Sequence, residues 1–165
     1  MAIRASAAVA PRRTRQPRVK ANRRSSIVCV ASRFNTPITQ RLVDGAVRTF
    51  TQRGLKRRDV RVLWVPGAFE LPIAAAWAAR HLKPMAIVAV GCVLKGETPQ
   101  YAAIGHAVAS GLTQVSVQTN TPVGFGDIVA DSLAKARARD GGNVGNRGTE
   151  AATAVIKRLE LKHRL

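Results

Sequence analysis

The sequence predicts an α/β fold, a three-layer α/β/α sandwich with a parallel sheet at its centre, and three observations predict it. Strand-like apolar runs alternate with helical stretches across residues 26–161, the pattern of a parallel sheet covered on both faces. The longest run, Met85 to Leu94, is apolar without alternation, as befits a strand buried on both sides. Aromatic residues make up 4% of the chain, and Ala and Val supply much of its apolar content, which suits close packing of helices on a sheet.

Taken in order, Ser26 to Ser32 reads as the first buried strand. Arg33-Phe34-Asn35 follows at its end, and Thr36-Pro37 opens a helix whose Val43, Ala46, Val47 and Phe50 share one face. Gly54 suits the left-handed stop. Phe34 is placed either to stack on a flat ligand or to staple the helix from below. Asp59 to Val65 is the second strand; the turn Pro66-Gly67-Ala68-Phe69-Glu70 leads to a helix from Ile73 to Leu82. Glu70, in the first turn, suits the helix dipole or the hydroxyls of a ligand.

Met85 to Leu94 is the third strand. Thr98 can cap the next helix, Pro99 to Gly111, because Pro is tolerated in a first turn where its N–H is not needed. Gln114 to Thr119 alternates like a fourth strand, and Val123 to Val129 reads as a short fifth. Asp131-Ser132 caps a basic helix, Leu133 to Arg139, with Lys135 and Arg139 on one face. Gly141 to Gly148 reads as a flexible loop in which backbone and Arg147 can approach an anion. A last helix, Thr149 to Leu161, carries Ala152, Val155, Ile156 and Leu159 on one stripe. The right-handed crossover rule makes the sandwich flavodoxin-like. It also puts the joints at Phe34, Gly67–Glu70 and Gly96–Gln100 on one sheet edge, where open α/β sheets bind ligands.

The 165 residues suit one domain, residues 25–165, preceded by a basic tail. The formal net charge is +18, of which residues 1–24, with eight Arg/Lys and no acid, hold +8. This Arg-, Ala- and Pro-rich segment has no periodic apolar face and is expected to be disordered. It reads as a solvated tail, as a contact for nucleic acid or another polyanion, or as a segment similar to an organelle transit peptide. No apolar stretch reaches the roughly 18 residues of a membrane span. Cys29 and Cys92 sit singly in strand-like runs, which points to a reducing compartment and to neither a disulfide framework nor a metal site.

Four segments together resemble the 6,7-dimethyl-8-ribityllumazine synthase family: SRFN at 32–35, VPGAFELP at 65–72, GCVLKGETPQY at 91–101 and ARDGGNVGNRGTEAA at 138–152. The resemblance spans residues 26–161. It implies a cytoplasmic transferase of riboflavin biosynthesis, or an organellar one if residues 1–24 are a transit peptide. Such an enzyme joins 5-amino-6-ribitylamino-uracil to 3,4-dihydroxy-2-butanone 4-phosphate without cofactor or metal. It implies a homo-oligomer with sites between subunits of a pentamer, assembled in some members into an icosahedral shell.

The same resemblance assigns roles. Phe34 would stack on the pyrimidine, with Asn35 beside it. Ala68 and Glu70 would hold the ribityl chain, and Val93 and Leu94 would meet the heterocycle edge. Gly96, Glu97 and Thr98 would receive the butanone phosphate, with Arg139 pairing to it. Phe125 and Arg139 would come from a neighbouring subunit. The implied catalytic positions are Gln100 and Glu150. At Gln100 the family places a proton-shuttling His, which Glu150 would partner. An amide cannot titrate, and His106, six residues on and roughly 9 Å along the helix axis, is a poor substitute. Gly124, Asp127 and Asn143 also depart from the family's pattern. A slow synthase is the first expectation and a binding or scaffold protein of the same fold the second. A nucleic-acid module rests on charge alone and lacks the aromatic-basic platform of a strand binder.

Overall fold

The computed structural model describes residues 27–165. The basic segment 1–24, with every expectation attached to it, and Ser26 lie outside the described residues. Four parallel strands form the main sheet: β1 (Ile27–Ser32), β2 (Val60–Val65), β3 (Ala86–Leu94) and β4 (Val123–Ala130), in the order β2-β1-β3-β4. Ile27 pairs with Val60 and Ala86 on its two sides, and Gly91 pairs with Asp127. β1 is buried throughout and β3 up to Leu94, because both are central and covered on both faces.

Helices α1 (Thr36–Gln52) and α5 (Arg147–Lys162) cover one face, where Leu42, Phe50, Val155 and Ile156 pack on Val88 and Val90. Helices α2 (Leu71–Trp77) and α3 (Gln100–Thr119) cover the other, where Leu71, Ala75, Val108 and Leu112 pack on Val28, Val30 and Ile87. The two layers carry the core of an α/β/α sandwich. α4 (Leu133–Ala138) and a small antiparallel hairpin, β5 (Asp140–Gly142) with β6 (Gly145–Asn146), join β4 to α5.

Several elements differ from their sequence-based reading. Gln114–Thr119 is the end of α3 and not a strand. Its alternation is also compatible with a helix, because Val108, Leu112 and Val115 are the buried positions, at the 4 and 7 spacing of one helical face. Gly111 does not stop that helix. It lets α3 approach α2, since a Cβ there would stand 2.8 Å from Pro72. α3 instead ends at Asn120, in the left-handed region at φ 52°. Thr98 does not cap α3, which begins after Pro99 without a side-chain cap.

The segment 141–148 is not a loose loop. It forms the hairpin and the first turn of α5, where Gly148 lies against the backbone of Leu42. Asn146 fixes this joint: its Oδ1 accepts the Thr149 N–H at 3.0 Å, while its Nδ2 donates to the Arg41 and Asp140 carbonyls. Residues 57–59 and 68–70 are 3-10 turns, so β2 starts at Val60, and a wider turn at 78–82 follows α2. Ser132 does cap α4, accepting the Lys135 N–H at 3.3 Å. Lys135 pairs with Asp131 at 2.6 Å, and Arg139 donates to the Lys135 carbonyl rather than sharing a free face with its side chain.

Candidate functional site

The carboxyl ends of β1, β2 and β3 open into a cavity of about 310 Å³. Three joints build it. After β1 the chain turns at Asn35, in the left-handed region at φ 59°, and the Asn35 Nδ2 donates to the Cys92 carbonyl at 2.9 Å. That bond ties the Phe34 loop to β3. The loop is also held to β2 by Arg33 N–H to Val65 O and Phe34 N–H to Pro66 O. After β2, Glu70 Oε2 accepts the Gly67 N–H at 2.8 Å and closes the 68–70 turn. After β3, Gly96 and Thr98 lead into Gln100 at the start of α3.

Of the thirteen residues singled out by resemblance, the structure brings seven to this cavity: Phe34, Ala68, Val93, Leu94, Gly96, Thr98 and Gln100. Phe34 presents an aromatic ring that is 69% exposed at the mouth. Asn35 and Glu70 brace the walls through the bonds above, and Glu97 is exposed beside the rim. Phe125, Arg139 and Glu150 do not reach the cavity within one chain. Phe125 is exposed on β4, Arg139 follows α4, and Glu150 begins α5, where it pairs with Arg147 at 2.6 Å.

Sequence reasoning missed Phe69, Tyr101 and Ile104, which also line the cavity. Phe69 and Tyr101 lie inside the quoted motifs, and their aromatic character beside a Gly-bearing turn was the available signal. Ile104 follows Gln100 by one helical turn, so its place could be read only once α3 was known to start there.

Among the described residues the lining contains no Asp, Glu, His, Lys or Arg side chain. Its ionisable members are Cys92 and Tyr101. Burial, with Asp127 and Asp140 adding to it, pushes the Cys92 thiol up to about 12, so it is a protonated wall group and not a nucleophile. Cys29 is pushed to about 12 by burial as well. Among the described residues no cluster of three His, Cys, Asp or Glu side chains is placed to hold a metal ion, and no helix is long and apolar enough to cross a membrane. One chain therefore offers an aromatic face, an apolar floor and neutral polar lining groups, with Lys95 and Glu97 exposed on the adjoining loop. That arrangement can hold a flat polar ring; the cations beside it in sequence, Arg33 and Lys95, are exposed and stand outside the lining.

The sequence model of the family described as 6,7-dimethyl-8-ribityllumazine synthase matches residues 24–163. The chain belongs to that family. The matched span takes in every described strand and helix, so the whole sandwich is the lumazine synthase domain. Proteins named 6,7-dimethyl-8-ribityllumazine synthase are similar over most of their length. That of Gemmatimonas aurantiaca is 42% identical over 135 residues, 82% of each chain. That of Nitratidesulfovibrio vulgaris is 38% identical over 136 residues, covering 82% of this chain and 87% of the relative. That of Buchnera aphidicola is 35% identical over 147 residues, covering 88% and 92%. Lumazine synthases are transferases, and the α/β sandwich described above is consistent with their fold.

Proposed function

We propose that this chain condenses 5-amino-6-ribitylamino-uracil with 3,4-dihydroxy-2-butanone 4-phosphate to 6,7-dimethyl-8-ribityllumazine, as a slow synthase working between subunits. The observation that carries the reading is the convergence of Phe34, Ala68, Val93, Leu94, Gly96, Thr98 and Gln100 on one cavity, in a member of this family. The pyrimidine stacks on Phe34 with its edge on the Val93–Leu94 backbone. Glu70, whose second oxygen is free of the Gly67 bond, meets the ribityl hydroxyls. The aromatic amine attacks the ketone and an imine forms with loss of water. Phosphate is then eliminated, and the ribitylamino nitrogen closes the ring with loss of a second water. Holding both reactants in attack geometry supplies much of the acceleration.

Among the described residues no cation lines the cavity wall, and we read the butanone phosphate as paired from a neighbouring copy. Arg139 of that copy supplies the cation, and Phe125 of that copy closes over the ring. This supports a site shared between copies, which we read with the family resemblance as a homopentamer, alone or in an icosahedral shell; the buried free thiols of Cys29 and Cys92 support a reducing compartment such as the cytoplasm. The +8 charge of residues 1–24 supports a contact of that segment with a polyanion. One feature favours a second reading, a binding or scaffold protein: Gln100 has no proton to shuttle at the position of the family's His. The loss of one general acid–base typically costs about 10²–10⁴-fold, which slows a reaction between intrinsically reactive partners without abolishing it.

A single-turnover experiment with both substrates decides between the two. Slow formation of the fluorescent lumazine supports the synthase; substrate binding without product supports the scaffold. Light scattering is expected to give the mass of five chains or a multiple of it. A stable monomer that turns over would overturn the shared site.

A further inference from the structure

Among the described residues one buried carboxyl in the sandwich has no side-chain partner. Asp127 lies on β4 at 6% exposure; among the described residues no side chain hydrogen-bonds either carboxylate oxygen, and the backbone N–H of Ile128 is the donor close to it. Buried polar groups are ordinarily satisfied, so the exception calls for a cause. The strand register puts it in a row. Asp127 pairs with Gly91 on β3, and Ser32, fully buried at the end of β1, stands on the far side of Gly91. A Cβ on Gly91 would be 2.5 Å from Asp127 Oδ1, 3.0 Å from Ser32 Oγ and 3.3 Å from Leu71 Cδ1. The two polar side chains thus face each other across the bare glycine, roofed by Leu71. The next residue outward on the same face of β3 is Val93, in the cavity wall. The row lies one pleat repeat, about 7 Å, beneath the floor of the site.

Ser32 links this row to the site. Its Oγ donates to the Phe34 carbonyl at 3.4 Å, a contact that Thr39 Oγ1 shares at the same length. We propose that Asp127 and Ser32 form a titratable positioning element for the aromatic subsite, in which ionisation of Asp127 draws the Ser32 hydroxyl away from Phe34. A neutral Asp127 has one O–H to donate, and the Ser32 oxygen is the acceptor it faces. Ser32 then keeps its own proton on the Phe34 carbonyl. An ionised Asp127 only accepts, so a turn about the Ser32 Cα–Cβ bond brings the hydroxyl proton to it. The Phe34 carbonyl then loses one of its two side-chain donors.

Burial raises the Asp127 carboxyl to about 7, within the range where enzymes work. No cation faces it. α2 has no ionisable side chain, and Glu70 is engaged with Gly67. α3 contributes Tyr101, half-buried, and His106, exposed with its Nδ1 against the Ala102 carbonyl. On the sheet, the ionisable neighbour is the Cys92 thiol, which stays protonated.

This inference rests on the synthase reading, and its test separates the two. The affinity of the full chain for 5-amino-6-ribitylamino-uracil is measured between pH ~6 and pH ~8 for wild type, Asp127→Asn and Ser32→Ala. Wild type is expected to weaken about 3–10-fold as pH rises, the worth of one hydrogen bond. Both variants are expected to bind with a flat profile once the ligand's own titration, common to all three, is subtracted. Ser32→Ala should still show the carboxyl's titration in a pH series of urea melts, which a fold-breaking variant would not. Wild type and Asp127→Asn weakening in parallel, or Ser32→Ala keeping the full pH effect, overturns the positioning role and leaves the synthase standing. No binding of the pyrimidine at any pH overturns the synthase and this role with it.

Discussion

Gln100 and Glu150 stand on helices that cover opposite faces of the sheet. Gln100 opens α3 beside the cavity; Glu150 lies in the first turn of α5, whose buried stripe packs on the other core layer. We therefore propose that the pairing implied by resemblance is made between copies. Gln100→His tests it. With both substrates saturating, the wild-type rate should lack a His-like inflection near pH ~6.5, because an amide does not titrate. The variant should show that inflection and run about 10-fold faster or more, a cautious part of the general acid–base range. An unchanged rate would mean that proton transfer at this position is not limiting.

Arg139 is the cation assigned to the butanone phosphate. Arg139→Ala should weaken the phosphate substrate by about 1.5–3 kcal/mol, the worth of a charged hydrogen bond, and leave the pyrimidine's affinity nearly unchanged. Calorimetric titration of each substrate separately checks this; equal weakening of both would contradict the assignment.

Asp127 makes stability depend on pH with a definite sign. Its folded value, about 7, is raised above the ordinary 3.8, so the folded chain keeps a proton that the unfolded chain has lost. Its contribution is full below pH ~4, declines as pH rises to ~7 and is constant above. The total decline is on the order of 4 kcal/mol. Urea melts of Asp127→Asn should show this slope removed; a slope equal to wild type's would place the titration on another group.

Gly148 is where α5 meets α1. A Cβ there would enter the carbonyl of Leu42, backbone that cannot swing aside. Gly148→Ala should destabilise the fold by about 1–3 kcal/mol as overpacking, read as a lowered urea midpoint. An unchanged midpoint would mean that the two helices can separate without cost.

Residues 1–24 carry +8 with no acid. Deleting them should reduce retention on RNA, with binding by the intact chain falling steeply as salt rises, and should leave turnover intact. Salt-independent retention, or loss of turnover on deletion, would count against a dispensable polyanion contact.

The central strands were legible in the chain itself. Unbroken apolar runs such as Ile27–Ala31 and Ala86–Val90 have no other economical place than the middle of a covered sheet. The Ser132 cap and the Asn35 and Gly67 joints were legible for the same local reason, that turn chemistry depends on neighbours in sequence. Gln114–Thr119 was not legible, because six residues with two valines fit either period, and packing of Leu112 and Val115 on the α2 layer decided for helix. Nor was the fate of residues 141–148, where Asn146 and the contact of Gly148 with Leu42 impose order on a glycine-rich stretch that would be free alone. Only the tertiary structure divided the thirteen residues into those that line one cavity and those that stand away from it. Only the register of β1, β3 and β4 set Asp127 opposite Ser32 across Gly91, since contacts between strands depend on chain segments that sequence distance does not bring together.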